Sequence, residues 1–154
     1  MGFYDAKDGD LVTWLKTKAA VTALVGVADD ARIWPDQGQQ SWDGNGQAII
    51  FVRSQSNPFH ELGAVSPMVH DVVQFFCYGD TREDADALEA VLFSVLCPTS
   101  NGKARPLRHQ TFGATKVNLI QPASRGQAGT DASVKTSGQY RYWSMAAYDV
   151  HLGA

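Results

Sequence analysis

The chain has 154 residues, of which 44% are hydrophobic and 19% charged, and its mean hydropathy is -0.21. This composition excludes a disordered or fibrous protein, and a compact chain of this length buries roughly 70% of its unfolded surface without a disulfide or metal staple. The net charge of -3 conceals an asymmetry: residues 1–100 carry six Lys/Arg against fourteen Asp/Glu, or -8, whereas residues 101–154 carry seven against two, or +5.

The first predicted element is a helix over residues 10–25. Asp8 and Asp10 offer capping carboxylates ahead of Leu11. Leu11, Trp14, Leu15, Val21, Leu24 and Val25 recur at helical spacing, and Gly26 supplies the stop. Trp14 is assigned to the core. Arg32-Ile33-Trp34-Pro35 is a short extended piece ended by proline. Residues 36–46, polar apart from Trp42, read as a loop. Ala48 to Ser54 is a strand whose continuous apolar run calls for cover on both faces or a central position.

Residues 55–67 hold two prolines and a glycine and read as a second loop. Met68 to Tyr78 is a long strand. His70, Asp71 and Gln74 make its early part polar, so it is expected to project past the core at its start. Thr81, three residues before Asp84, opens a second helix in capping-box fashion. Glu83, Asp84 and Asp86 suit the positive end of that helix dipole, which explains the acidic cluster without a metal. Leu88, Val91, Leu92, Val95 and Leu96 form its apolar stripe, and Pro98 ends it.

Residues 99–114 are polar and basic, with a turn at Asn101-Gly102. Lys116 to Gln121 reads as a short strand. Pro122 to Gly138 is rich in Gly, Ser, Thr and Ala; at seventeen residues it predicts a long flexible loop, ordered only on assembly. Gln139 to Leu152 is the last strand, with Tyr140, Tyr142, Ser144, Ala146, Tyr148 and Val150 on one face. The predicted order is α-β-β-β-α-β-β. That is an α+β fold in a single domain spanning residues 1–154, with one mostly antiparallel sheet and two helices on one face.

Catalytic signatures are missing from this sequence. It has no glycine-rich phosphate cradle and no nucleophile elbow. His60, His70, His109 and His151 have no metal-ligand spacing, and Cys77 and Cys97 form no C-x-x-C pair. The cysteines read as buried small hydrophobes in a chain made in a reducing compartment. No apolar run is long enough to span a bilayer, and Met1 to Asp5 does not open a secretory signal. No catalytic residue, metal or cofactor is therefore assigned.

Two other functional readings remain from the residues themselves. One is a cryptic enzyme site around His70, Asp71 and Cys77. The other is nucleic-acid binding through the basic run Lys103, Arg105, Arg108 and His109; the sequence pI of 5.7 weighs against it.

The order of elements resembles a known family. The residues that carry the likeness are Leu11-Val-Thr-Trp-Leu15 through Gly26, Arg32-Ile-Trp-Pro35, His70-Asp-Val-Val-Gln-Phe-Phe-Cys-Tyr78, and Asp80-Thr-Arg-Glu-Asp-Ala-Asp-Ala-Leu-Glu-Ala-Val-Leu92, followed by a tyrosine-rich last strand. They resemble the tail completion or tail terminator proteins of long-tailed bacteriophages, as hydrophobic patterns along nearly the whole chain. The resemblance implies a non-enzymatic virion protein of the tail or neck, assembled in the host cytoplasm. It implies a ring, hexameric in that family, that caps the tail tube, stops its growth and meets a head-closure or connector protein. Genomic DNA passes non-specifically through the ring. The long strand at 68–78 and the bulky 36–46 loop depart from the pattern, so a head-closure or adaptor protein of the neck is the alternative. Lys103, Arg105, Arg108, Arg125 and Lys135 are the candidate assembly or DNA-channel contacts.

Overall fold

A computed structural model describes residues 6–35, 42, 44–55, 60–61, 64–65, 69–131 and 141–152. In chain order the elements are α1 (Ala6–Lys16), α2 (Ala19–Val25), β1 (Ile33–Pro35), β2 (Ala48–Gln55), β3 (His60–Glu61), β4 (Ala64–Val65), β5 (Val69–Gly79), α3 (Arg82–Leu96), β6 (Thr99–Ser100), β7 (Lys103–Ala104), β8 (Leu107–Phe112), β9 (Thr115–Asp131) and β10 (Arg141–Leu152). The α+β class holds. Three α-helices, rather than two, share one core with one face of a six-stranded sheet ordered β1-β2-β5-β10-β9-β8. Every pairing in that sheet is antiparallel except β1 with β2.

The predicted 10–25 helix is two helices. Thr17 donates both its backbone N–H (3.0 Å) and its hydroxyl (2.6 Å) to the Trp14 carbonyl, and Lys18 N–H bonds Leu15 O. These tight turns draw carbonyls out of the helical ladder, and Lys18 then turns extended at φ -94°, ψ 107°. Gly26 ends α2 as predicted: its φ of 97° disfavours any side chain, and its N–H donates to Thr22 O. Asp8 and Asp10 lie inside α1 rather than before it. They hold the helix to the sheet: Asp8 Oδ1 takes Arg53 Nε at 2.9 Å, and Asp10 Oδ2 takes the Thr115 hydroxyl at 2.7 Å.

The main core joins Leu15, Val21 and Val25 of the first two helices and Leu88, Leu92 and Leu96 of α3 to Ile49, Phe51, Val73, Phe75, Cys77, Ala146 and Tyr148 of the sheet. Trp14 stacks on Phe112 with ring centroids 4.3 Å apart, in the core role assigned to it. The opposite sheet face carries Ala48, Ile50 and Tyr78, with half-buried Trp34, Trp42, Phe76 and Trp143 around them. The continuous apolar run of β2 thus serves both faces. Thr81 caps α3, its hydroxyl accepting Asp84 N–H at 3.1 Å.

Asp71 does not project past the core: it is 1% exposed and its Oδ2 accepts from Arg53 Nη1. Within the predicted 55–67 loop, β3 and β4 make a two-residue ladder; of the 36–46 loop, residues 36–41 and 43 lie outside the described residues.

The largest difference concerns the predicted loop at 122–138. β9 continues through Asp131, in register with β10 from Val117↔Leu152 to Asp131↔Arg141 with bulges on the way; residues 132–138 lie outside the described residues. Small residues suit this strand because β10 supplies the bulk. A Cβ on Gly129 would fall 2.5 Å from Trp143 Cζ2, and Trp143 is itself packed edge-on against Phe76. Gly129→Ala must displace a rigid indole. It is expected to destabilise the protein by about 1–3 kcal/mol, read as a lower urea midpoint.

Candidate assembly interface

Helix α3 organises the charges. Its fifteen residues span about 22 Å at 1.5 Å per residue. Exposed Asp80, Glu83 and Asp86, with half-buried Asp84, gather at its N-terminal end. At its other end the chain turns through the β6–β7 hairpin, whose turn is Asn101-Gly102 as predicted, and Arg105 N–H bonds Pro98 O. Lys103, Arg105 and Arg108 stand exposed on this hairpin and the strand that follows, Lys116 is exposed farther on at the β8–β9 turn, and none makes an ion pair among the described residues. The helix dipole favours the acidic placement, with Glu83 and Asp84 in the first turn. The acidic cluster and the basic corner therefore stand at opposite ends of one helix, although Arg141 of the basic segment bonds Asp80 at the acidic end. Their separation exceeds the screening length of about 8 Å at physiological salt, so each end acts on a neighbour more than on the other end.

Arg125 stands apart from this basic corner. Its Nε and Nη2 bond the two carboxylate oxygens of Glu89 at 2.7 and 2.9 Å, and its guanidinium lies 3.7 Å from the centre of the Phe93 ring. The bond to Glu89 raises the Arg125 pKa above its ordinary value, which fixes the positive charge. Arg82 adds a second tie, donating to Trp143 O at 3.1 Å and Gly129 O at 3.5 Å. These contacts bind the far half of β9 to α3. Beyond Ile120, β9 is paired on one side only, since β8 ends opposite that residue, and residues 122–128 are exposed. Lys135 lies outside the described residues.

Sequence reasoning missed the Arg125–Glu89 pair. Its signal was present: Glu89 falls on the buried face of α3 with Ala85, Leu88, Leu92 and Leu96, where a carboxylate needs a cation. Arg125→Ala should free the far half of β9. Faster amide exchange over 122–131 is expected, with core protection kept. The stability loss should be about 1–3 kcal/mol, below the figure for a wholly buried pair because Arg125 is 38% exposed.

Of the cryptic-enzyme reading, Asp71 and Cys77 do not meet, and the His70 side chain lies outside the described residues. Asp71 and Cys77 lie six residues apart on β5, roughly 20 Å along a strand. Asp71 is bonded to Arg53, and Cys77 is wholly buried. Burial, and secondarily Glu89, push the Cys77 thiol far above its ordinary range, and burial also raises Cys97. Neither supplies a thiolate. An aromatic disulfide reagent at pH 8 is therefore expected to leave both cysteines unmodified in the native protein and to titrate both in denaturing urea. Among the described residues, no three His, Cys, Asp or Glu side chains gather as a metal would require, and no helix is long and apolar enough to cross a membrane.

Neither a protein-family model nor a curated protein matches this sequence. The fold does match a solved structure: a chain of the "Virion of native gene transfer agent (GTA) particle" superposes with a TM-score of 0.59 at 11% identity, covering 99% of this chain and 100% of that one. At that identity the likeness is one of fold, and it extends over the whole length of both chains.

Proposed function

We propose that this chain is a structural protein of a tailed, phage-like virion that forms a ring at the top of the tail tube, ends tube polymerisation and offers the surface to which the head joins. The observation that carries the reading is the end-to-end likeness in fold to a chain of a virion particle. The sequence resemblance to tail terminators narrows it to the tube end. The segregated charges supply what a ring needs. A closed ring is built from heterologous contacts, one surface of each subunit meeting a different surface of the next. The acidic N-terminal end of α3 and the basic corner beyond its C-terminal end are such a pair.

In this reading six copies close the ring, as in the resembling family. Lys103, Arg105 and Arg108 serve the subunit contact or face the DNA that passes through, by phosphate attraction that carries no base information. Arg125 acts indirectly, holding β9 in place, and Lys135, outside the described residues, is a further candidate for assembly or DNA contact. The partners are further copies of the chain, the tail tube protein and a head-closure or connector protein, with no membrane and no cofactor. Purified tube protein polymerised with and without this chain tests the reading. Tubes capped by a ring and arrested in length are expected. Tubes that lengthen equally in its presence, with no density at their ends, refute it.

A further inference from the structure

Between α1 and the sheet lies a cavity of about 30 Å³, walled by apolar side chains that include Leu11, Phe75 and Val117. Lys7, Arg53 and Thr115 also line it, as do Asp71 and Tyr148. Asp71 and Tyr148 are buried, at 1% and 0% exposure, and each has a polar atom with no partner among the described residues: Asp71 Oδ1 and the Tyr148 hydroxyl. The two residues come from adjacent strands, Asp71 opposite Val150 and Val73 opposite Tyr148, so they open on the same face of the sheet two positions apart. Arg53 occupies only the other carboxylate oxygen of Asp71.

We propose that this cavity is an internal hydration site, in which water bonds Asp71 Oδ1 at one end and the Tyr148 hydroxyl at the other. The class of ligand follows from size and chemistry together. A water molecule needs at least about 10–15 Å³ of such space, so the cavity has room for about two. It is an order of magnitude below the roughly 300 Å³ at which pockets for organic ligands begin. A carboxylate oxygen is among the most demanding acceptors to bury without a donor, and water can donate to Asp71 and to Tyr148, and accept from the latter. A cavity walled by apolar groups alone would stay dry; two unmatched polar atoms on its wall reverse that preference.

Water-selected nuclear Overhauser spectra of the intact protein are the first test. Cross-peaks are expected from long-lived water to the methyls of Val73 and Val117, which line the cavity and are each 2% exposed. Assigned methyls with no such peaks would overturn the site. Tyr148→Phe is the second test, because it removes one atom and keeps the ring. If water satisfies the hydroxyl, the variant loses a bond and its Tm falls by about 2–4 °C. An unchanged or higher Tm means that the hydroxyl had no partner to lose, and would overturn the bridge to Tyr148. Neither result depends on the ring reading.

Discussion

Replacing Arg53 with alanine is expected to cost about 3–5 kcal/mol, a large share of the 5–15 kcal/mol that holds an ordinary domain together. The guanidinium joins three elements: its Nε bonds Asp8 of α1 and its Nη1 bonds Asp71 of β5, while Arg53 itself sits on β2. Asp71 decides the magnitude. Its side chain is 1% exposed, so its carboxylate depends on Arg53 for a counter-charge. Removing the cation leaves a buried charge, which is the expensive way to break an ion pair. Asp8, at 17% exposure, can recover water and adds less. The Tm should fall on the order of 10 °C. The double variant Arg53→Ala, Asp71→Asn should regain part of the loss, since the amide carries no charge to strand. Arg53→Lys should be intermediate, because one ammonium lacks the fork that reaches two carboxylates. Urea unfolding of the four proteins checks this. An Arg53→Ala protein within 1 kcal/mol of the parent would show that the bridge contributes little.

The places where sequence and structure part share a cause. Elements fixed by local chemistry were legible: the Thr81 cap, the apolar stripe of α3, the Gly26 stop, the long apolar strands and the Asn101-Gly102 turn. What was not legible depends on partners far along the chain. Asp8 and Asp10 read as helix caps from their neighbours. Their partners, Arg53 and Thr115, stand 45 and 105 residues away. Asp71 read as the polar start of a strand leaving the core, and only the strand beside it shows that Arg53 draws it inward. The far half of β9 has no local reason to be a strand: its residues are small, and Trp143 and Arg82 provide the bulk and the ties. Arg125 was grouped with the basic corner by charge alone, although its partner Glu89 lies 36 residues earlier. Of the candidate interface, the exposure of Lys103, Arg105 and Arg108 was legible from composition. Their separation from the acidic cluster by the length of a helix was not.

That separation sets the second large effect. Reversing Arg105 and Arg108 together, to glutamate, should abolish ring formation and length control while leaving the fold intact. Both side chains are exposed, and Arg105 makes only a 3.5 Å contact to Ser100 O. Folding stability should therefore change by no more than about 0.5 kcal/mol. At the subunit contact the consequence is larger. One exposed ion pair is worth only about 0–1 kcal/mol, but reversal replaces attraction by repulsion at two positions, and like charges brought together cost several kcal/mol. The same penalty recurs at every contact around a closed ring. Apolar contacts would still supply most of the affinity, so charge acts on which surfaces meet. Two controls make the test specific. The parent's self-association should weaken as salt is raised past the screening range, and that of the reversed variant should improve. A chain carrying Glu83→Lys and Asp86→Lys should also fail alone, yet pair with the reversed variant when the two are mixed, since opposite charges face each other again at every contact of an alternating ring. Sedimentation of each protein and of the mixture, with tube length measured by electron microscopy, reads both effects. Normal tubes of defined length from the Arg105, Arg108 variant alone would remove electrostatics from the account of how the ring closes.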